Sequence, residues 1–127
     1  MSWPRPHRTV AAVFTTAGAL HFIVPRPYEK IVPPALGNAR AIVYASGVAE
    51  IVGGLGVLPR RLRPWAGLWL VGVLVGVFPA NVYHAVAADR IRGQPVPRPL
   101  LWLRLPLQGA MIAGVWRATQ PGRALRR

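Results

Sequence analysis

Trp65–Ala88 reads WAGLWLVGVLVGVFPANVYHAVAA. Its centre, Val71–Val77, is VGVLVGV and carries no polar face. An amphipathic helix lying on a soluble core keeps one. A helix that crosses a bilayer needs about 20 mostly apolar residues, within a range of about 17–25. The stretch meets that requirement and decides the expected class, an all-α integral membrane protein. A soluble bundle of buried helices is the alternative, and the missing polar face weighs against it.

Outward from this segment lie three more apolar runs, Thr9–Val24, Ala41–Leu58 and Leu100–Trp116. The second and third are marginal in length, and the first needs flanking residues. Prolines bound them: Pro25, Pro27, Pro33 and Pro34, then Pro59 and Pro64, then Pro95, Pro97 and Pro99. Pro79 and Pro106 fall inside spans, where membrane helices tolerate kinks. The expectation is one domain over residues 1–127, a four-helix transmembrane bundle running up-down-up-down. Gly72 with Gly76, and Gly47, Gly53, Gly54 and Gly56, suit close helix packing.

The chain has 16 basic and 3 acidic residues, a formal charge of +13, yet it is 53% hydrophobic with mean hydropathy +0.34. That apolar content excludes a disordered basic tail. The absence of cysteine excludes disulfides, thiol catalysis and cysteine metal sites. Every basic residue except Arg104 lies between the apolar runs or at a terminus. Such arginines meet anionic lipid head groups more readily than nucleic acid, so the lipid bilayer is an expected partner and nucleic acid is not.

Four spans put both termini beside the middle loop. That side holds Arg5, Arg8, Arg60, Arg61, Arg63, Arg117, Arg123, Arg126 and Arg127. The other side holds Arg26, Lys30, Arg40, Arg90, Arg92 and Arg98. The positive-inside rule then places both termini on the cytoplasmic side of the membrane. Trp65 and Trp116 fall at the inner interface, and Tyr28, Tyr44, Tyr83 and Trp102 near the outer one. Ala17-Gly18-Ala19 resembles a signal-peptide cleavage site, but Thr15 and Thr16 shorten its apolar core and Phe22–Val24 extend it past the cut, so retention is expected.

The polar residues inside the runs are His21, Tyr44, Ser46, Glu50, Asn81, His84, Arg104 and Gln108. A rise of about 1.5 Å per residue puts all of them at similar depth, about 4–14 Å from the ends facing the first and third loops. Asn81 and His84 share a helix face, as do Arg104 and Gln108. Ionisable groups in such segments are functional candidates. Glu50, flanked by glycines, is expected to pair with Arg104, directly or through water. His21, Tyr44, Glu50, Asn81, His84, Arg104 and Gln108 therefore form the candidate ligand site. Three readings stay open: a structural polar network, a pocket for a small amphipathic ligand such as a quinone head group or for a partner's helix, and proton transfer. No metal is expected, because His21, His84 and Glu50 lack zinc-motif spacing. Phosphate-loop, serine-nucleophile and HExxH motifs are missing.

Gly18-Ala19-Leu20-His21-Phe22-Ile23-Val24-Pro25, with Tyr28 and Ile31-Val32-Pro33-Pro34, resembles the opening signature of DoxX-like small bacterial membrane proteins. Tyr44–Gly47 through Glu50 and Gly53-Gly54, Phe78–Tyr83, and Arg104–Gln108 are similar to later stretches of that family, in its order. His84 stands where relatives often carry an apolar residue, and Gly37 replaces a frequent proline. The resemblance implies a four-helix membrane protein linked to sulfur or quinone redox chemistry, or a membrane subunit beside a redox enzyme. Together with the residues it leads to an accessory or scaffolding subunit, not an enzyme on its own, with a redox-enzyme partner or a homo-oligomer. The alternatives are an oxidoreductase subunit acting on a quinone and a ligand-free network.

Overall fold

A computed structural model describes residues 4–91, 93 and 96–121. Arg92, Arg123, Arg126 and Arg127, and the boundary residue Pro95, lie outside the described residues. The described residues form five α-helices: α1 (Pro6–Ile23), α2 (Pro25–Lys30), α3 (Ala39–Gly56), α4 (Arg63–Val86) and α5 (Arg98–Thr119). Single 3-10 turns at Pro34–Leu36 and Ala88–Arg90 complete the connections.

Local chemistry sets the starts. α1, α2, α4 and α5 each have a proline in the first turn, where its missing N–H costs nothing and its fixed φ suits the helix. Before α3, the Asn38 side chain accepts a hydrogen bond from the Ala41 N–H at 3.1 Å. Gly37, just upstream, has φ +90°, which a proline could not adopt.

The four-span bundle is not what forms. The regular structure of the described residues is all helical, and the four longer helices sit close to the expected runs. Among the described residues, however, only α4 is long and apolar enough to cross a membrane, with 24 residues and mean hydropathy 1.7 over its best stretch. α1 and α3 have 18 residues each, about 27 Å against a hydrocarbon core of about 30 Å. α1 opens on Pro6-His7-Arg8, and α3 includes Arg40 and Glu50. α5 is long enough but carries Arg98, Arg104, Gln108 and Arg117. The expectation counted proline-bounded runs and gave these polar residues too little weight. The short α2 was not expected at all.

α1 packs on α3, α3 on α4, and α4 on α5, with α5 also touching α1. The α1–α3 crossing depends on glycine. A Cβ at Gly18 would lie 2.6 Å from the Gly47 carbonyl oxygen, so neither backbone leaves room for a side chain. Ala11, Phe14, Val57, Ala66, Leu70, Leu74 and Val115 form the core between α1, α3, α4 and α5. Gly72 and Gly76, four residues on, have open space where a side chain would stand, so this GxxxG pair meets no other helix among the described residues.

Candidate functional site

His21 closes the last full turn of α1. Its Nδ1 lies 2.6 Å from the Ala17 carbonyl oxygen. A carbonyl has no proton, so Nδ1 donates and Nε2 is the free position of the neutral ring. Nε2 lies 3.1 Å from Glu50 Oε2 on α3. One proton between these atoms satisfies both, either on Glu50 or on the imidazole. Burial pushes the Glu50 carboxyl up to about 7, so the protonated form is accessible near neutrality. His21 also stacks on Tyr28 of α2, with ring centroids 4.0 Å apart. Burial, then the nearby Glu50 charge, raises the Tyr28 hydroxyl above its ordinary value, while Arg104 acts in the opposite sense.

These groups line a cavity of about 320 Å³ whose walls come from all five helices. α3 contributes Ile42, Val43, Ser46 and Glu50, which share a face at helical spacing. The buried Ser46 Oγ has no hydrogen-bond partner among the described residues. α4 and α5 contribute Asn81, Arg104 and Gln108. The Asn81 amide donates to Gln108 Oε1 at 2.6 Å. Gln108 in turn donates to the Leu74 carbonyl, one residue before Val75, whose carbonyl lacks the N–H that Pro79 cannot supply. This chain of amides ties α5 to the proline turn of α4.

Five of the seven expected site residues therefore meet around one space: His21, Glu50, Asn81, Arg104 and Gln108. Tyr44 does not line it, because it stacks on Phe22 with centroids 4.9 Å apart. His84 is buried beyond its end and lines a second hollow of about 210 Å³ with Lys30 and Ile91. Arg104 Nη1 reaches His84 Nδ1 at 3.4 Å, so Nδ1 is the acceptor. Glu50 thus takes His21 as its ion-pair partner, and Arg104 turns toward His84. Tyr28, an interface aromatic and a motif residue in the sequence, is not among the expected site residues, yet it lines the cavity. Its place on a separate short helix after Pro25 hid its contact with His21. Among the described residues, no group of three or more His, Asp or Glu is arranged to hold a metal ion.

A model of the family described as "Domain of unknown function (DUF8561)" matches residues 10–119. No curated protein and no solved structure matches the chain.

Proposed function

The chain belongs to the DUF8561 family, and we propose that it is a membrane-anchored accessory protein whose cavity holds a small amphipathic ligand. The observation that carries this reading is the division of the cavity wall. Ser46 Oγ and the His21–Glu50 pair offer hydrogen-bonding capacity that the protein leaves partly unused. Val32, Leu36, Ile42, Val43, Leu74 and Met111 supply an apolar remainder. Pockets for small molecules combine these two features. About 320 Å³ is near the lower end of their range and suits a single-ring head group. A quinone head group fits the donor set: one carbonyl oxygen accepts from the unpartnered Ser46 hydroxyl, and the other accepts from the protonated Glu50 carboxyl in place of His21 Nε2. The Asn81–Gln108–Leu74 chain is satisfied internally and belongs to a structural network.

Anchoring rests on α4. Only 28% of its most apolar stretch is buried, whereas the core helix of a soluble protein is mostly covered. Trp69, Val75, Phe78 and Val86 face outward. Arginines at its N-terminal end support a cytoplasmic position for that end. The accessory role is supported by apolar side chains left uncovered on other helices, including Val48, Val52 and Leu55 on α3 and Leu100, Leu103 and Leu107 on α5. They suit a membrane redox-enzyme partner or a second copy. The motif order from Ala17 to Trp116 supports a kinship with DoxX-like proteins as part of the same proposal.

The test is titration of the purified chain with a soluble short-chain quinone, followed by tryptophan quenching. Saturable binding is expected, and Ser46→Ala and Glu50→Gln should each weaken it by about tenfold, the loss of one buried hydrogen bond. No saturable binding, or binding unchanged in both variants, overturns the ligand reading.

A further inference from the structure

One end of the molecule gathers positive charge with no Asp or Glu beside it among the described residues. Arg5 and Arg8 stand at the start of α1, Arg60 and Arg61 in the turn between α3 and α4, and Arg117 in the last turn of α5. The contact of the Gln120 amide with the Pro64 carbonyl, 3.1 Å, and the seating of Thr119 on Gly67 bring the end of α5 to the start of α4. A Cβ at Gly54 would lie 3.2 Å from the Ala11 carbonyl oxygen, so the last turn of α3 lies against the first half of α1 and the first two groups share one end. All five arginines named first are exposed, and among the described residues none forms an ion pair. Arg63 differs, because it donates to the Val57 and Leu58 carbonyls at 2.8 and 3.1 Å and so closes the end of α3.

The opposite end also holds cations, among them Arg26, Lys30 and Arg90, but there carboxylates offset part of the charge. Arg40 pairs with Glu29 at 2.5 Å, and Arg98 pairs with Asp89. With Glu50 facing the cavity, all three acidic residues of the chain are accounted for away from the arginine-rich end.

We propose that this arginine-rich end is a docking surface for anionic phospholipid head groups. The inference rests on the reading that α4 enters the membrane. Guanidinium groups bind phosphate oxygens through paired N–H donors. Apolar and amphipathic side chains are interleaved with them: Leu58, Leu62, Trp65 and Trp116 are all exposed. Indoles at this level suit the boundary between head groups and acyl chains. A nucleic-acid groove would present the same phosphate chemistry but has no use for exposed leucines beside it. Lipid therefore matches both halves of the surface.

The experiment uses the full chain purified in a neutral maltoside detergent and offered an equimolar mixture of dioleoyl phosphatidylglycerol and dioleoyl phosphatidylcholine. Native mass spectrometry counts the retained lipids. At low salt, phosphatidylglycerol should be retained about fivefold over phosphatidylcholine, and added salt should reduce the preference. The triple variant Arg8→Gln/Arg60→Gln/Arg61→Gln should bring the ratio near parity. Arg40→Gln/Arg98→Gln, at the other end, should leave it unchanged. Parity in the unmodified chain with lipid still retained overturns this proposal while membrane anchoring stands. No lipid retained at all overturns both. Equal loss in the two variants, or tight binding of a DNA duplex with lipid at parity, also overturns it.

Discussion

Glu50 shows how one residue's surroundings set its chemistry. Its carboxyl is pushed by burial from 4.5 to about 7, and His21 Nε2 is its neighbour. The folded state therefore holds the Glu50 proton more tightly than the unfolded chain does. The stability this contributes is fully present below about pH 4.5 and is lost as pH rises to about 7. In thermal unfolding in detergent, wild-type stability relative to Glu50→Gln should fall by about 1–2 kcal/mol over that window, discounted for partial solvent access. A pH-independent difference between the two would mean that the carboxyl titrates normally. The convergence of His21, Glu50, Asn81, Arg104 and Gln108 was legible because rise along a helix follows from residue count. Rotation and axial end-points were less so. Tyr44 is about 100° around α3 from Val43 and turns to Phe22 instead. His84 shares the Asn81 stripe but lies a turn past the cavity, in the neighbouring hollow.

Elements pack through small residues, but not through every small residue that the sequence offers. Gly18 and Gly47 are needed because their backbones touch, whereas the Gly72–Gly76 pair faces open space. The glycine pattern alone does not distinguish a used GxxxG face from an unused one, since the difference lies in which neighbour arrives. Gly18→Ala should destabilise the fold by about 1–3 kcal/mol, because the α1 and α3 backbones must separate. Gly72→Ala meets nothing and should be neutral or stabilising by up to about 1 kcal/mol through helix propensity. Paired thermal unfolding of the two variants checks this. Equal losses would show that α4 packs against something at Gly72. The positions of α1, α3, α4 and α5 were legible to within a few residues because proline and apolar runs bound them. The short α2 escaped, since a stretch rich in proline and charge carries no helical periodicity.

At the scale of the whole molecule, the overcount of membrane spans has a physical source. Proline-bounded apolar runs satisfy a length rule loosely, but transfer into hydrocarbon is summed over every residue. Arg40 and Glu50 in α3, and Arg98, Arg104 and Arg117 in α5, offset many valines and leucines. α4 has no charged residue after Arg63. If α4 alone holds the chain in the bilayer, charge should matter at its centre and not elsewhere. An arginine at a spanning helix's centre opposes insertion by about 2.5–3.5 kcal/mol. Val75 is 58% exposed on α4, and Val13 is 48% exposed on α1, so neither substitution need disturb the core. After alkaline carbonate extraction, Val75→Arg/Phe78→Arg should move most of the chain from the membrane pellet to the supernatant. Val13→Arg should leave it in the pellet. Release by Val13→Arg to the same extent would assign retention to α1 as well, and retention of the α4 variant would remove α4 as the anchor.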